Sequence, residues 1–158
     1  MTDATVVERK VLNRTKILSH GTIQCRSLAL SRPFYEDFLG LEVVQHTENG
    51  VLLRKGGYCV IVCIERGERA KGISRLNHWG LDMDSKEDVD RAFALAHELK
   101  DKYELQRISR ITTHHGTYSF YFLDRDSNWW EFQYVGDGQF DGTGRYDRAF
   151  SRGDFKAE

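Results

Sequence analysis

Ile17 to Glu65, ILSHGTIQCRSLALSRPFYEDFLGLEVVQHTENGVLLRKGGYCVIVCIE, is the stretch whose reading decides the fold. Ile17–Leu28 reads as a strand. Ser31-Arg-Pro-Phe then opens a short helix, because serine caps a helix N-terminus and Pro33 is tolerated in a first turn. Gly40 closes that helix. Three strand-like runs follow, near Leu41–His46, Val51–Lys55 and Tyr58–Glu65, separated by Glu48-Asn49-Gly50 and Gly56-Gly57, which have hairpin-turn compositions. The order is β-α-β-β-β.

Outward from this stretch the same order returns. Gly67 to Arg75 (GERAKGISR) is charged and contains glycine, as a linker does. Leu76–Met83 reads as a strand and Asp84-Ser85 as the cap of a long helix, with Val89, Ala92, Phe93, Ala96 and Leu99 at helical spacing. Runs near Tyr103–Thr112, Tyr118–Leu123 and Trp129–Val135 complete a second βαβββ. The expected architecture is α+β, with modules 17–66 and 76–135 side by side forming an open eight-stranded trough, a shape that favours a pocket between halves. Residues 1–16 form a polar leader. Residues 136–158 (GDGQFDGTGRYDRAFSRGDFKAE) are too irregular for a regular element; they are either disordered or anchored through Phe140, Tyr146, Phe150 and Phe155.

The 158 residues suit one domain. With 23 basic against 24 acidic residues and a net charge of −1, the chain has no overall field to attract nucleic acid or an anionic membrane. A small-molecule partner is the expectation. Cys25, Cys59 and Cys63 are odd in number and scattered in apolar runs, which reads as buried reduced thiols. With no apolar leader and no run of about 20 apolar residues, the sequence carries no secretory signal or membrane span, and the expected compartment is the cytoplasm.

Three potential metal ligands fall on three strands: His20 in ILSHGTI, His78 in LNHWGLDM and Glu131 in NWWEFQYV. They are nearly evenly spaced, which puts the two histidines at matching places on the first strand of each half and Glu131 on the last strand of the second. Two imidazoles and a carboxylate on one face of an ion leave open positions, an arrangement associated with non-heme Fe(II) and with catalysis. On spacing alone the plainer reading, two satisfied strand histidines and a surface carboxylate, stays open.

The run from His20 to Val44 resembles the opening of the vicinal oxygen chelate superfamily, which contains glyoxalases, bleomycin resistance proteins and extradiol dioxygenases. Asn77-His78-Trp79-Gly80-Leu81 resembles its middle ligand strand. Tyr121 to Glu131 (YFLDRDSNWWE) resembles its closing signature, with Arg125 where the superfamily has proline and Ser127 where it has glycine. Within the superfamily, Thr112-Thr113-His114, Phe120-Tyr121, Asp124 and Glu131 are similar to the signature of type I extradiol ring-cleaving dioxygenases. The additional active-site histidine of two-domain members is absent between Val60 and Asn77.

The resemblance implies one divalent metal held by His20, His78 and Glu131, with Fe(II) first and Mn(II), Zn(II) or Ni(II) as alternatives. It implies a substrate with vicinal oxygens such as a catechol, O2 as co-substrate, His114 as acid/base and Tyr121 as hydrogen-bond donor. A metal-dependent lyase, isomerase or thiol-transferring resistance enzyme is the second reading, and a metal-free binding protein the third. A homodimer is expected.

Neighbours in a strand face opposite sides, so at most one of His114 and His115 faces the trough; the signature spacing and shared parity with Tyr118 favour His114. His46 and His97 read as solvated. Trp79, Trp129 and Trp130 either wall an apolar pocket or belong to the core, and Trp129 and Trp130 point to opposite faces. Asp124 and Asp126 read as turn formers.

Overall fold

The computed structural model describes residues 18–56, 59–114 and 116–135. The leader, the tail with its four aromatic residues and His115 lie outside the described residues.

The first half runs β1 (His20–Cys25), α1 (Leu28–Pro33), a π-helical turn (Phe34–Phe38), β2 (Glu42–Thr47), β3 (Gly50–Arg54) and β4 (Val60–Glu65). Its sheet has the order β1-β4-β3-β2, with β1 parallel to β4. The second half runs β5 (Trp79–Asp82), α2 (Lys86–Glu98), β6 (Arg107–Ile108), β7 (Thr112–His114), β8 (Thr117–Leu123) and β9 (Trp129–Val135). Its order is β5-β9-β8-β6, with β7 also on β8 and β5 parallel to β9. The first half is therefore βαβββ, and the second has the same order with the strand after its helix divided into β6 and β7. In each, the crossover through a helix allows the first strand to pair in parallel with the last. The two mixed sheets stay open, and among the described residues no ladder joins them.

Local chemistry explains these elements and three departures from expectation. Ser85 caps α2 by accepting from the Asp88 N–H, as expected, and α2 buries Val89, Ala92 and Ala96. The first helix begins earlier than Ser31. Ser27 caps it, Ser31 is buried within it, and Pro33 ends it, since proline lacks the N–H that would continue the ladder. The chain widens there into the π turn, whose Leu39 N–H reaches back to Phe34 O. His78 lies one residue before β5, after a 3-10 turn (Arg75–Asn77), not inside the strand.

The run expected at Tyr103–Thr112 divides. Glu104 takes a left-handed turn (φ 52°), and β6 and β7 follow as separate segments on β8. Ile108 pairs with Phe122 but Thr112 pairs with Ser119, so the chain inserts one extra residue opposite Phe120. That is a β-bulge.

The core lies on one face of each sheet. α1 and the π turn fill it, with Phe34 against Trp130 and Phe122, and Phe38 against Phe132 and Tyr103. Trp130 is fully buried and Trp79 packs against the same cluster, so these two tryptophans are core residues. Cys25 and Cys63 are buried free thiols as expected, whereas Cys59, just before β4, is exposed.

The Asp124–Asn128 turn ties the halves together. Arg26 donates through its backbone N–H and its Nε to Asp126, Ser31 Oγ donates to Asp126, and Asn128 Nδ2 donates to Gln24 O. Ser127 has φ 64°, the left-handed conformation that glycine adopts freely and that costs other residues about 1–2 kcal/mol. A second tie lies between β1 and β5. A Cβ on Gly21 would stand 2.3 Å from the Trp79 indole, so only glycine allows β1 to come this close.

Candidate functional site

The face of the second sheet opposite the core carries the chemistry. Directly paired residues on antiparallel strands share a face. The pairs Thr112–Ser119, His114–Thr117, Tyr121–Glu131 and Ser119–Gln133 therefore align one polar surface, while Phe120, Phe122, Trp130 and Phe132 turn inward. This surface floors a cavity of about 670 Å³, lined also by Arg75, His78, Ser109 and Arg110. The size suits a small molecule. A hollow of about 710 Å³ near the π turn, β5 and α2 contains none of the expected site residues.

At the centre, His78 Nε2 stands 3.0 Å from Glu131 Oε2. His78 Nδ1 stands 2.6 Å from Arg75 O, and a carbonyl can only accept, so Nδ1 carries a proton. A carboxylate can only accept, so at this distance Nε2 shares a proton with Glu131; with that proton displaced, both atoms aim lone pairs at the same place. Two electron-pair donors that converge this way fit a cation. With metal–ligand bonds of about 2.0–2.2 Å, adjacent ligands at right angles sit about 3 Å apart, the separation seen here. The Nδ1–carbonyl bond is the kind of outer support that fixes a ligating histidine. The Glu131 side chain is only 7% exposed, so its charge has little water to stabilise it.

Tyr121 faces Glu131 across the ladder and sets its ring edge-on to His78, 4.9 Å between centroids. Burial, reinforced by the Glu131 carboxylate, pushes the Tyr121 hydroxyl up to about 12, so it stays protonated and able to donate at neutral pH. His114 lines the rim of the same cavity. It shares its face with Thr117 and Tyr121, not with Tyr118, which turns the other way to donate to Asp90 on α2. The parity argument therefore fails, because a turn separates β7 from β8, even though His114 itself does reach the cavity.

His20 is not brought to this cluster. It begins β1 on the side opposite Ile23 and Cys25, exposed, with Nδ1 2.8 Å from Ser19 Oγ. Among the described residues no three His, Cys, Asp or Glu side chains gather closely enough to hold a metal ion. His46 and His97 are exposed, as expected. Asp124 and Asp126 are buried turn residues that accept from donors in the turn and in the first half. No tryptophan lines the cavity. Sequence reasoning missed Arg75, Ser109, Arg110, Ser119 and Gln133; the period-2 alternation around Tyr121 and Glu131 was the signal available for Ser119 and Gln133.

Comparison with known proteins agrees with this architecture. A glyoxalase/dioxygenase from Nostoc punctiforme is similar with a TM-score of 0.62 and 17% identity, over 84% of this chain and 100% of that one. The fosfomycin resistance protein FosX from Listeria monocytogenes has a TM-score of 0.61 and 21% identity, over 78% and 96%. A lactoylglutathione lyase from Agrobacterium tumefaciens has a TM-score of 0.54 and 20% identity, over 77% and 96%. At such identities the likeness concerns the fold alone. No curated protein matches the chain. Among the described residues, no helix is long and apolar enough to cross a membrane. The family model matches residues 17–132, the two βαβββ halves almost entire, and the chain belongs to the Glyoxalase/Bleomycin resistance protein/Dioxygenase superfamily.

Proposed function

We propose that this protein is a mononuclear divalent-metal enzyme acting on a small molecule with vicinal oxygens, with extradiol cleavage of a catechol-type ring by O2 as the reaction. The observation that carries the metal is the convergence of His78 Nε2 and Glu131 Oε2 at 3.0 Å, with Nδ1 already engaged by a carbonyl. The observation that favours the extradiol reaction is that His114 and Tyr121 border the same cavity as that pair.

His78 and Glu131 supply two of the ligands and His20 the third. His20 lies on the non-core side of β1, as His78 lies beside β5, and the two strands approach where Gly21 meets Trp79. It comes from the same chain or from a second copy in a homodimer. Mixing His20→Ala with His78→Ala chains decides between these: metal binding returns in the mixture only when sites are shared.

When bound, Fe(II) supplies Lewis acidity toward two adjacent oxygens and redox chemistry toward O2. Tyr121 contributes a hydroxyl that donates to an oxygen anion beside Glu131. His114 moves a proton at the rim, where an imidazole suits neutral pH. Ser119 and Gln133 orient the substrate by hydrogen bonds from the cavity floor. Tyr121→Phe removes one donor and little volume, so metal content stays unchanged while turnover falls roughly tenfold or more, the worth of a hydrogen bond to a charged group. Unchanged turnover under saturating substrate removes Tyr121 from the reaction.

The deciding experiment is elemental analysis of protein purified without oxygen, followed by oxygen uptake with a catechol panel. About one iron per chain, oxygen uptake and a coloured ring-fission product support this reading. Zinc, manganese or nickel without oxygen uptake moves it to a lyase, isomerase or transferase, and failure to bind any of these ions leaves a binding protein.

A further inference from the structure

We infer that the substrate of this cavity carries an oxyanion, a carboxylate or a phosphoryl group, and that Arg75 and Arg110 hold it. The inference rests on the cavity being the substrate site, as proposed above, but not on which reaction takes place there.

Both guanidinium-bearing residues line the cavity, and among the described residues Glu131 is the only carboxylate that does. Neither arginine forms an ion pair among the described residues, as Arg66, Arg69 and Arg107 do not either, but Arg75 and Arg110 are the two of these five that line the cavity. Arg75 lies over the Tyr121 ring with its Cζ 5.4 Å from the centroid, which orients its side chain next to the His78–Glu131 pair. The one negative charge of the cavity already faces His78. With a divalent ion beside it, the charges of the lining sum to a clear positive excess, and an anion is what such a concave surface attracts.

The bulge between β6 and β7 supplies an independent observation. In an unbroken ladder Arg110 would oppose Phe120, whose side chain points into the core. The extra residue gives that inward place to Ile111, which packs against the core, and leaves Arg110 on the cavity side. The ladder sacrifices regular pairing at the one step that would have sent a guanidinium into the hydrocarbon interior. Bulges next to active sites commonly re-aim a side chain in this way. Arginine suits the task because its planar fork meets the two oxygens of a carboxylate or phosphoryl group at once. Around it, Thr112, Thr117 and Ser119 offer hydroxyls to the remaining oxygens, while the Ser109 hydroxyl is donated to Arg110 O.

The test uses calorimetric titration of the full-length metal-loaded protein with catechol and with 3,4-dihydroxybenzoate at constant ionic strength. The carboxylated ligand binds roughly tenfold or more tightly than catechol, and Arg110→Gln and Arg75→Gln each erase much of that preference while leaving metal content and catechol affinity in place. Benzoate and inorganic phosphate are then titrated into the metal-free chain, where saturable binding lost in the arginine variants reads the anion subsite alone. Preference for benzoate assigns a carboxylate, and preference for phosphate assigns a phosphoryl group. No charge preference in the metal-loaded protein, or a preference that survives both substitutions, overturns the inference. Arginine-dependent anion binding without catechol binding upholds it while removing the catechol reading.

Discussion

His78→Ala yields a folded protein that no longer retains its metal and no longer turns over substrate. The substitution removes the imidazole that stands 3.0 Å from Glu131. Loss of outer-shell support alone costs roughly 10–100-fold in metal affinity. Loss of the ligand itself therefore lowers affinity by well over 100-fold. Folding survives, because the side chain is 28% exposed and outside the core. Elemental analysis paired with circular dichroism and thermal melting checks the result. A variant that keeps one metal per chain shows that His78 is not a ligand, and a variant that melts far below the parent shows a structural role instead.

The second large effect concerns stability. Asp124 is buried and accepts from four donors: the backbone N–H groups of Asp126 and Asn128, Asn128 Nδ2 and Trp130 Nε1. Asp124→Ala leaves those donors without an acceptor in a place water does not reach. Each abandoned buried group costs about 1–3 kcal/mol, and breaking a buried charged network costs about 3–5 kcal/mol in total. At about 2–4 °C per kcal/mol for a chain of this size, the melting temperature falls by about 10 °C.

Burial pushes the Asp124 carboxyl up to about 6, against hydrogen bonds from Trp130 and Asn128 that pull it down. A folded-state value above the usual 3.8 means that the native protein binds this proton more tightly than the unfolded chain. The contribution is fully present below about pH 4 and is lost as pH rises through about 6. The difference between parent and variant melting curves across that window isolates it. Identical pH profiles and melting temperatures within about 2 °C would show that the turn, not the carboxylate, holds the halves.

The sequence makes the repeated βαβββ order legible because strand and helix periods and the Ser85 cap are local signals. His78, Glu131, Tyr121 and His114 are legible through motif resemblance, and the structure brings those four to one cavity. What the sequence hides is set by pairing between distant segments. Tyr103 to Thr112 reads as one strand since Tyr103, Leu105 and Ile108 are apolar, yet the bulge at Arg110 exists only relative to β8. The three tryptophans sit close to proposed ligands in sequence, but Trp130 faces away from Glu131 because adjacent strand residues diverge. Asp124 reads as a turn former, and only the fold shows that its carboxylate also receives the Trp130 indole N–H.

The meeting of Gly21 with Trp79 gives the molecule an adjustable gauge. Among the described residues no backbone ladder joins the two sheets, so at this seam their closest approach is set by the bulk at positions 21 and 79, next to the histidines. Enlarging position 21 or trimming position 79 would open or narrow the gap between His20 and His78 without rebuilding a single strand.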